Sequence, residues 1–267
     1  AKMGVLIKNG EVLEEVSDLD TVVFDKTGTI TVGKPQVTDV VGDQNKVLTI
    51  AASLEENSEH PLATAVVKKA KEDKIALAQV KNFAAIEGKG VRASYDGQTA
   101  FVGSDRLLKD ISISQEMKDQ AIKLQKEAKT VVYVGLGQEI IGLIAIQDVP
   151  KPSSKAAIAE LKKRGLKTIM LTGDNPNVAN AIGKEVGIDQ VIAGVLPTEK
   201  AAEIKKLQDE GRKVAFVGDG INDAPALSTA DVGIAMGSGT DVAIESGGIV
   251  LVQNDLMGVV RALDISK

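Results

Sequence analysis

The chain has 267 residues, with 32 Lys and Arg against 37 Asp and Glu, one His and no Cys. A composition of 43% apolar and 26% charged residues excludes disordered and fibrous classes, and the length suggests about two domains. The missing Cys excludes a disulfide framework and a thiol nucleophile, the single His excludes a multi-histidine metal centre, and a net charge of −5 argues against a nucleic-acid partner.

The opening stretch AKMGVLIKNGEVLEE lacks the apolar core and cleavage site of a secretory leader. TVVF is an apolar strand ending abruptly at Asp25, with no helix of its own before the style of the sequence changes near a hinge at Lys34–Asp39. Helices follow at Lys46–Asn57 and Leu62–Glu72, then Gly-rich strands at Ile86–Val91 and Gln98–Val102, a helix at Ser114–Ala128 and two strands within Thr130–Ile146. Val131–Ile146 is the most apolar stretch, but it contains Gln138 and Glu139 and falls short of the ~20 apolar residues of a membrane-spanning helix. On composition alone the chain is a soluble protein unconnected with membranes or metals. After a second hinge at Gln147–Lys151, helical patterns alternate with short strands. These are SSKAAIAELKKRG, KTIML, PNVANAIGKEVG, QVIAG, TEKAAEIKKLQDEG (a helix starting near Pro197), KVAFVG, DVGIAM and GIVLV. A short helix between the last two and a closing helix over Asp255–Ser266 complete the set. Such alternation makes βαβ units and a parallel sheet. The expected fold is α/β, a doubly wound parallel sheet built from residues 1–33 and 150–267, with an α+β domain over 34–149 inserted in its first loop.

Open parallel sheets bind ligands beyond the carboxyl ends of their strands. Three strands here end in an acidic turn, at Asp25, at Thr172-Gly173-Asp174 and at Gly218-Asp219. Any one of them alone reads more readily as a turn residue, but three together point to a site. Asp25 is placed to act as a nucleophile, Thr172 and Gly173 offer a hydroxyl and an amide to a phosphoryl oxygen, and Lys200 supplies a point charge. Asp219, Asn222 and Asp223 crowd oxygen ligands into one turn, which suits Mg²⁺. Together they read as a phosphoryl-transfer site.

DKTGT, TGD and GDGxND, in that order, resemble the P-type cation-transporting ATPases of the haloacid-dehalogenase-like superfamily, and the resemblance covers essentially the whole chain. It implies that Asp25 becomes an aspartyl phosphate and that Lys26 and Thr27 help hold the phosphoryl group. It further implies that Thr172, Gly173 and Lys200 contact the phosphate, that Asp174 belongs to the catalytic set, and that Asp219, Asn222 and Asp223 organise Mg²⁺ together with the Asp25 carboxylate and the Thr27 carbonyl. Superfamily phosphatases carry a second Asp two positions after the nucleophile; here that position is Thr27. General acid–base help is worth about 10²–10⁴-fold, so its absence gives the phosphoenzyme the lifetime a pump requires.

There is no P-loop, so ATP must be gripped in another way. Ser58-Glu59-His60-Pro61 resembles the signature of the heavy-metal subclass. By that resemblance the adenine pocket comprises Glu55, His60, Gly88, Gly90 and Gly103, with Ser104 standing where the family has Asn. Taken alone, His60 reads as a helix-boundary residue and Gly88 and Gly90 as a bend. The resemblance implies ATP and Mg²⁺ as cofactors and nucleotide as partner. In the full-length pump it implies an actuator domain, transmembrane helices and a location at the cytoplasmic membrane face, whereas the fragment itself would be soluble and monomeric. The stretch ADVGIAMGSGTDVAIESGGIVLV most resembles copper-type members, although zinc, cadmium and lead pumps share the SEHP element. A free-standing phosphatase and a non-catalytic nucleotide-binding module are the competing readings.

Overall fold

The computed structural model describes residues 4–237 and 247–266. The chain forms two compact units, Ala1–Gly33 with Val149–Lys267, and Lys34–Asp148.

The first unit is built on a seven-stranded sheet. Its strands are β1 (Val5–Ile7), β2 (Thr21–Asp25), β9 (Lys167–Leu171), β10 (Gln190–Ile192), β11 (Val214–Asp219), β12 (Val232–Met236) and β13 (Ile249–Leu251), in the order β1-β13-β12-β11-β2-β9-β10. All neighbours are parallel except β1, which runs antiparallel to β13. Every residue of β2 is buried, as expected of a central strand covered on both faces. From β2 the chain moves out to β9 and β10 and then returns to β11 on the other side of β2. The switch point therefore falls at the carboxyl end of β2. The intervening helices are α5 (Ser154–Lys163), α6 (Pro176–Val186), α7 (Lys200–Asp209) and the short α8 (Ala224–Thr229), and the helix Met257–Ile265 closes the chain. Asn175 caps α6 by accepting from the Val178 N–H at 3.1 Å, Pro176 occupies its first turn, and Gly187 ends it at φ +82°.

The second unit is a six-stranded antiparallel sheet ordered β3-β8-β7-β6-β5-β4. Its strands are β3 (Gln36–Val41), β4 (Lys81–Ile86), β5 (Gly90–Tyr95), β6 (Gln98–Gly103), β7 (Thr130–Leu136) and β8 (Glu139–Gln147). Helices α2 (Gln44–Glu55) and α3 (Pro61–Glu72) cover one face, where Val132, Val134, Ile144 and Ile146 join their core. The other face carries α4 (Gln115–Lys126) and a short helical turn, Asp105–Lys109, packed on Val131, Tyr133, Leu143 and Ala145. Alternate residues of β7 and β8 thus enter different cores. That is why Val131–Ile146 reads as one apolar run: it is a hairpin buried on both faces.

Several details differ from the sequence expectations. The opening stretch holds both β1 and a helix, α1 (Gly10–Ser17), capped by Asn9. Most of the expected hinge Lys34–Asp39 is strand β3, paired with β8. The expected strand Ile86–Val91 is not continuous: it holds the end of β4, a tight turn over residues 87–89 and the start of β5, and the positive φ of Gly88 (+69°) lets the chain reverse there. The short helix expected between DVGIAM and GIVLV lies outside the described residues.

Candidate active site

Three adjacent strands, β11, β2 and β9, deliver their carboxyl ends side by side, and the predicted phosphoryl-transfer residues cluster there. Asp25 closes β2 and is buried. Beyond it, Lys26–Ile30 form a wide turn in which Gly28 takes φ +73°. The turn is closed by the Thr31 N–H on the Lys26 carbonyl at 3.0 Å and by the Gly28 N–H on Thr31 Oγ1 at 3.1 Å. Thr27 lies exposed in this turn, and Thr29 is fully buried with its hydroxyl unpaired.

Lys200, the first residue of α7, bridges two carboxylates. Its Nζ lies 3.1 Å from Asp25 Oδ1 and 2.8 Å from Asp223 Oδ1. Burial, and then the charge of Asp223, push the Asp25 carboxyl up to about 7, with Lys200 offsetting part of the effect. Burial alone would lower the Lys200 pKa, but Asp25 and Asp223 outweigh it and hold it above its ordinary value.

The GDGIND turn is self-supporting. Asp223 Oδ2 accepts from the Asp219 N–H at 3.0 Å, Asp219 Oδ1 accepts from the Ile221 N–H at 2.8 Å, and Asn222 Nδ2 donates to Asp219 Oδ2 at 3.0 Å. Gly218 is required by packing, since a Cβ there would sit 2.6 Å from Asp223 Oδ2 and 2.7 Å from the Phe216 ring.

On the β9 side, Lys26 does not face Asp25. Its ammonium is 2.5 Å from Asp174 Oδ2, and both side chains are largely buried. The Thr172 hydroxyl accepts from the Asp174 N–H at 3.1 Å and stands 3.3 Å from Asp174 Oδ2. Gly173 follows Thr172 in this turn, and its Cβ position lies 3.3 Å from the Val195 carbonyl. The residues therefore fall into two sets, Asp25–Lys200–Asp223–Asp219–Asn222 and Lys26–Asp174–Thr172. The Lys26–Asp174 pair was not expected; its signal in the sequence was a Lys beside one strand-end Asp and a second Asp at the end of the neighbouring strand.

Among the described residues, no three His, Cys, Asp or Glu side chains gather into a metal cage. The donors at the β2 and β11 ends, the Asp25, Asp219 and Asp223 carboxylates and the Thr27 carbonyl, are all hard oxygens. That fits Mg²⁺ held by one or two carboxylates, water and phosphate.

In the second unit, Glu55 ends α2 and His60 caps α3, its Nδ1 accepting from the Leu62 N–H at 3.2 Å. Accepting there fixes the ring proton on Nε2, and partial shielding lowers the His60 pKa. Burial raises the Glu55 carboxyl to about 7, partly offset by a hydrogen bond from Ser58. The Ser58 hydroxyl in turn accepts from the His60 N–H at 3.3 Å. Gly88 lies in the β4–β5 turn, and Gly90 and Gly103 are register partners across β5 and β6. A Cβ on Gly90 would come 2.1 Å from the Val102 carbonyl, and one on Gly103 would come 1.8 Å from the Lys89 carbonyl. Close strand approach thus already requires glycine at both positions. Ser104 caps the turn Asp105–Lys109, accepting from the Arg106 N–H.

Residues 19–231 match the family of haloacid dehalogenase-like hydrolases. A copper-exporting P-type ATPase of Staphylococcus haemolyticus is 49% identical over all of this chain, which spans 34% of that protein. One from Staphylococcus aureus is 47% identical, again over the whole chain and 33% of the relative. The chain thus spans about a third of the length of these curated relatives. Among solved structures, the catalytic domain of the CPx-ATPase CopB-B, described for its conformational changes upon nucleotide binding, is 36% identical with a TM-score of 0.73. That match covers 98% of this chain and 96% of the other. A zinc-transporting PIB-type ATPase in its E2·Pi state is 38% identical with a TM-score of 0.68, over 99% of this chain and 44% of the other. The chain belongs to the haloacid dehalogenase-like hydrolases and, within them, to the catalytic domains of the heavy-metal P-type ATPases.

Proposed function

We propose that this chain is the ATP-binding and self-phosphorylating part of a heavy-metal-exporting pump, with Asp25 as the nucleophile. The observation that carries the reading is Asp25 itself: buried at the end of the central strand, at the switch point, and bridged by Lys200 to Asp223. A carboxylate oxygen of Asp25 attacks the γ-phosphorus in line. The bond from that phosphorus to the β,γ-bridging oxygen breaks, and ADP leaves with the electron pair. Lys200 stays protonated and balances charge on the Asp25 side, while the buried Lys26–Asp174 pair fixes the turn that follows the nucleophile. Asp25, Asp219, Asp223 and the Thr27 carbonyl are the groups that would hold Mg²⁺, which when bound neutralises charge on the transferring phosphoryl group. Thr27 offers no carboxylate to activate water, so the acyl phosphate outlives the transfer. Glu55, His60, Gly88, Gly90, Gly103 and Ser104 form the nucleotide side, and Lys34–Asp148 is the nucleotide-binding domain.

The copper-exporting relatives at 47–49% identity, against 38% for the zinc-transporting structure, favour copper as the exported ion. No helix among the described residues is long and apolar enough to cross a membrane. The membrane helices and an actuator domain at the cytoplasmic face are assigned to the remainder of the pump. With γ-labelled ATP and magnesium, the chain should acquire an acid-stable, hydroxylamine-labile label that Asp25→Asn abolishes while ATP binding persists. Rapid turnover of simple phosphate esters without such a label would mark a phosphatase instead.

A further inference from the structure

The glycine turn of the second unit is fastened from outside. Lys89 closes it by donating its N–H to the Ile86 carbonyl at 2.9 Å. The segment after β6 then attaches to it through three residues, Ser104, Arg106 and Asp110. The Ser104 N–H donates to the Lys89 carbonyl at 2.8 Å, and the Ser104 hydroxyl stands 3.3 Å from the Gly88 carbonyl. Arg106 Nη1 donates to the same Gly88 carbonyl at 3.3 Å, which its two lone pairs allow. Asp110 Oδ2 accepts from Lys89 Nζ at 2.7 Å. Behind them, Gly90 and Gly103 pack backbone against backbone with no room for a side chain.

Glycine has more backbone freedom to lose than any other residue. A turn carrying it at 88 and 90 would, if loose, have to be ordered by whatever binds there, and that ordering weakens affinity. We propose that Arg106 is a positioning residue of the nucleotide site. Its guanidinium, together with Ser104 and Asp110, holds the Gly88–Lys89 turn in one conformation before nucleotide arrives. This rests on the reading of Gly88 and Gly90 as nucleotide contacts.

The test compares the whole chain with Arg106→Ala, Arg106→Lys and Ser104→Ala, using ATP calorimetry and amide exchange by NMR at a temperature where all remain folded. Arg106→Ala should raise the ATP Kd about 3- to 10-fold and speed exchange at Lys89 and Ser104, leaving the β7–β8 amides unchanged. Arg106→Lys, which keeps a donor, should recover part of both, and Ser104→Ala should loosen the same two amides. An unchanged Kd in Arg106→Ala alongside normal binding by the unsubstituted chain overturns the positioning role. If the unsubstituted chain binds no ATP, the nucleotide reading itself fails. Exchange then decides the clamp alone: acceleration at Lys89 and Ser104 supports it, and unchanged rates overturn it.

Discussion

Gly218 shows how tightly single residues are constrained at this site. Its missing side chain makes room for the Asp223 carboxylate, which supports the Asp219 amide and receives Lys200. Gly218→Ala should displace that carboxylate, costing about 1–3 kcal/mol in stability through overpacking. It should also lower the phosphorylation rate on the order of 10²-fold through misplacement. Urea unfolding and single-turnover labelling would read the two effects. Glu55 answers to pH. Burial raises its carboxyl from an ordinary 4.5 to about 7, so within that window the folded chain holds more protons than the unfolded chain. Stability therefore falls as pH rises through the window. Glu55→Gln should be about 1–3 kcal/mol more stable than the unsubstituted chain at pH 8. That advantage should vanish below about pH 4.5, as denaturant midpoints at several pH values would show.

At the scale of elements, α3 joins folding to the candidate site, because its cap is His60. The ring accepts the Leu62 N–H, an end of the helix that would otherwise need another partner. His60→Ala should cost about 0.5–2 kcal/mol of stability as well as ATP affinity. His60→Asn, a good cap without an imidazole, should restore the stability and leave the ATP affinity low. Thermal melts set beside ATP titrations separate the two roles, and equal affinity in all three chains would remove the imidazole from the pocket. Elements with strong periodicity or clear caps were legible in the sequence. The periodicity of PNVANAIGKEVG marked α6, and the strand KTIML with its following Thr172-Gly173-Asp174 turn was evident. The short strands in QVIAG and GIVLV were also legible, but other short or partly polar elements were not. The alternation in Gln36–Val41 is too weak to mark β3 without its partner β8, and α8 has only six residues. The carboxylates at the strand ends were legible because strand and turn chemistry change abruptly there. The pairing of Lys26 with Asp174 was not, since it depends on β2 and β9 being neighbours, which no local pattern states.

For the whole molecule, the inserted unit has its own sheet and cores on both faces of that sheet, and its two ends are paired. Gln36 lies opposite Gln147, and the Lys34 N–H donates to Asp148 Oδ1 at 3.2 Å. Residues 34–148 expressed alone should therefore unfold in one cooperative transition, with native-like circular dichroism and dispersed amide signals. A non-cooperative melt would show that the unit needs the rest of the chain. The Val131–Ile146 hairpin lies at the centre of this prediction, since it supplies apolar side chains to both cores.

The pairing of β3 with β8 also bears on the order in which the chain assembles. β2 must find β9, yet the whole inserted unit separates them in sequence. Closing a long flexible loop carries an entropy cost that grows slowly with length. Once β3 and β8 have zipped together, the residues on either side of the insert are already neighbours, and the search by β2 shrinks to that across a short connection. Early pairing of β3 with β8 would thus let the inserted unit form first and the seven-stranded sheet condense on a shortened tether. Weakening the insert should slow collapse of the sheet around Asp25 without touching a single contact within it.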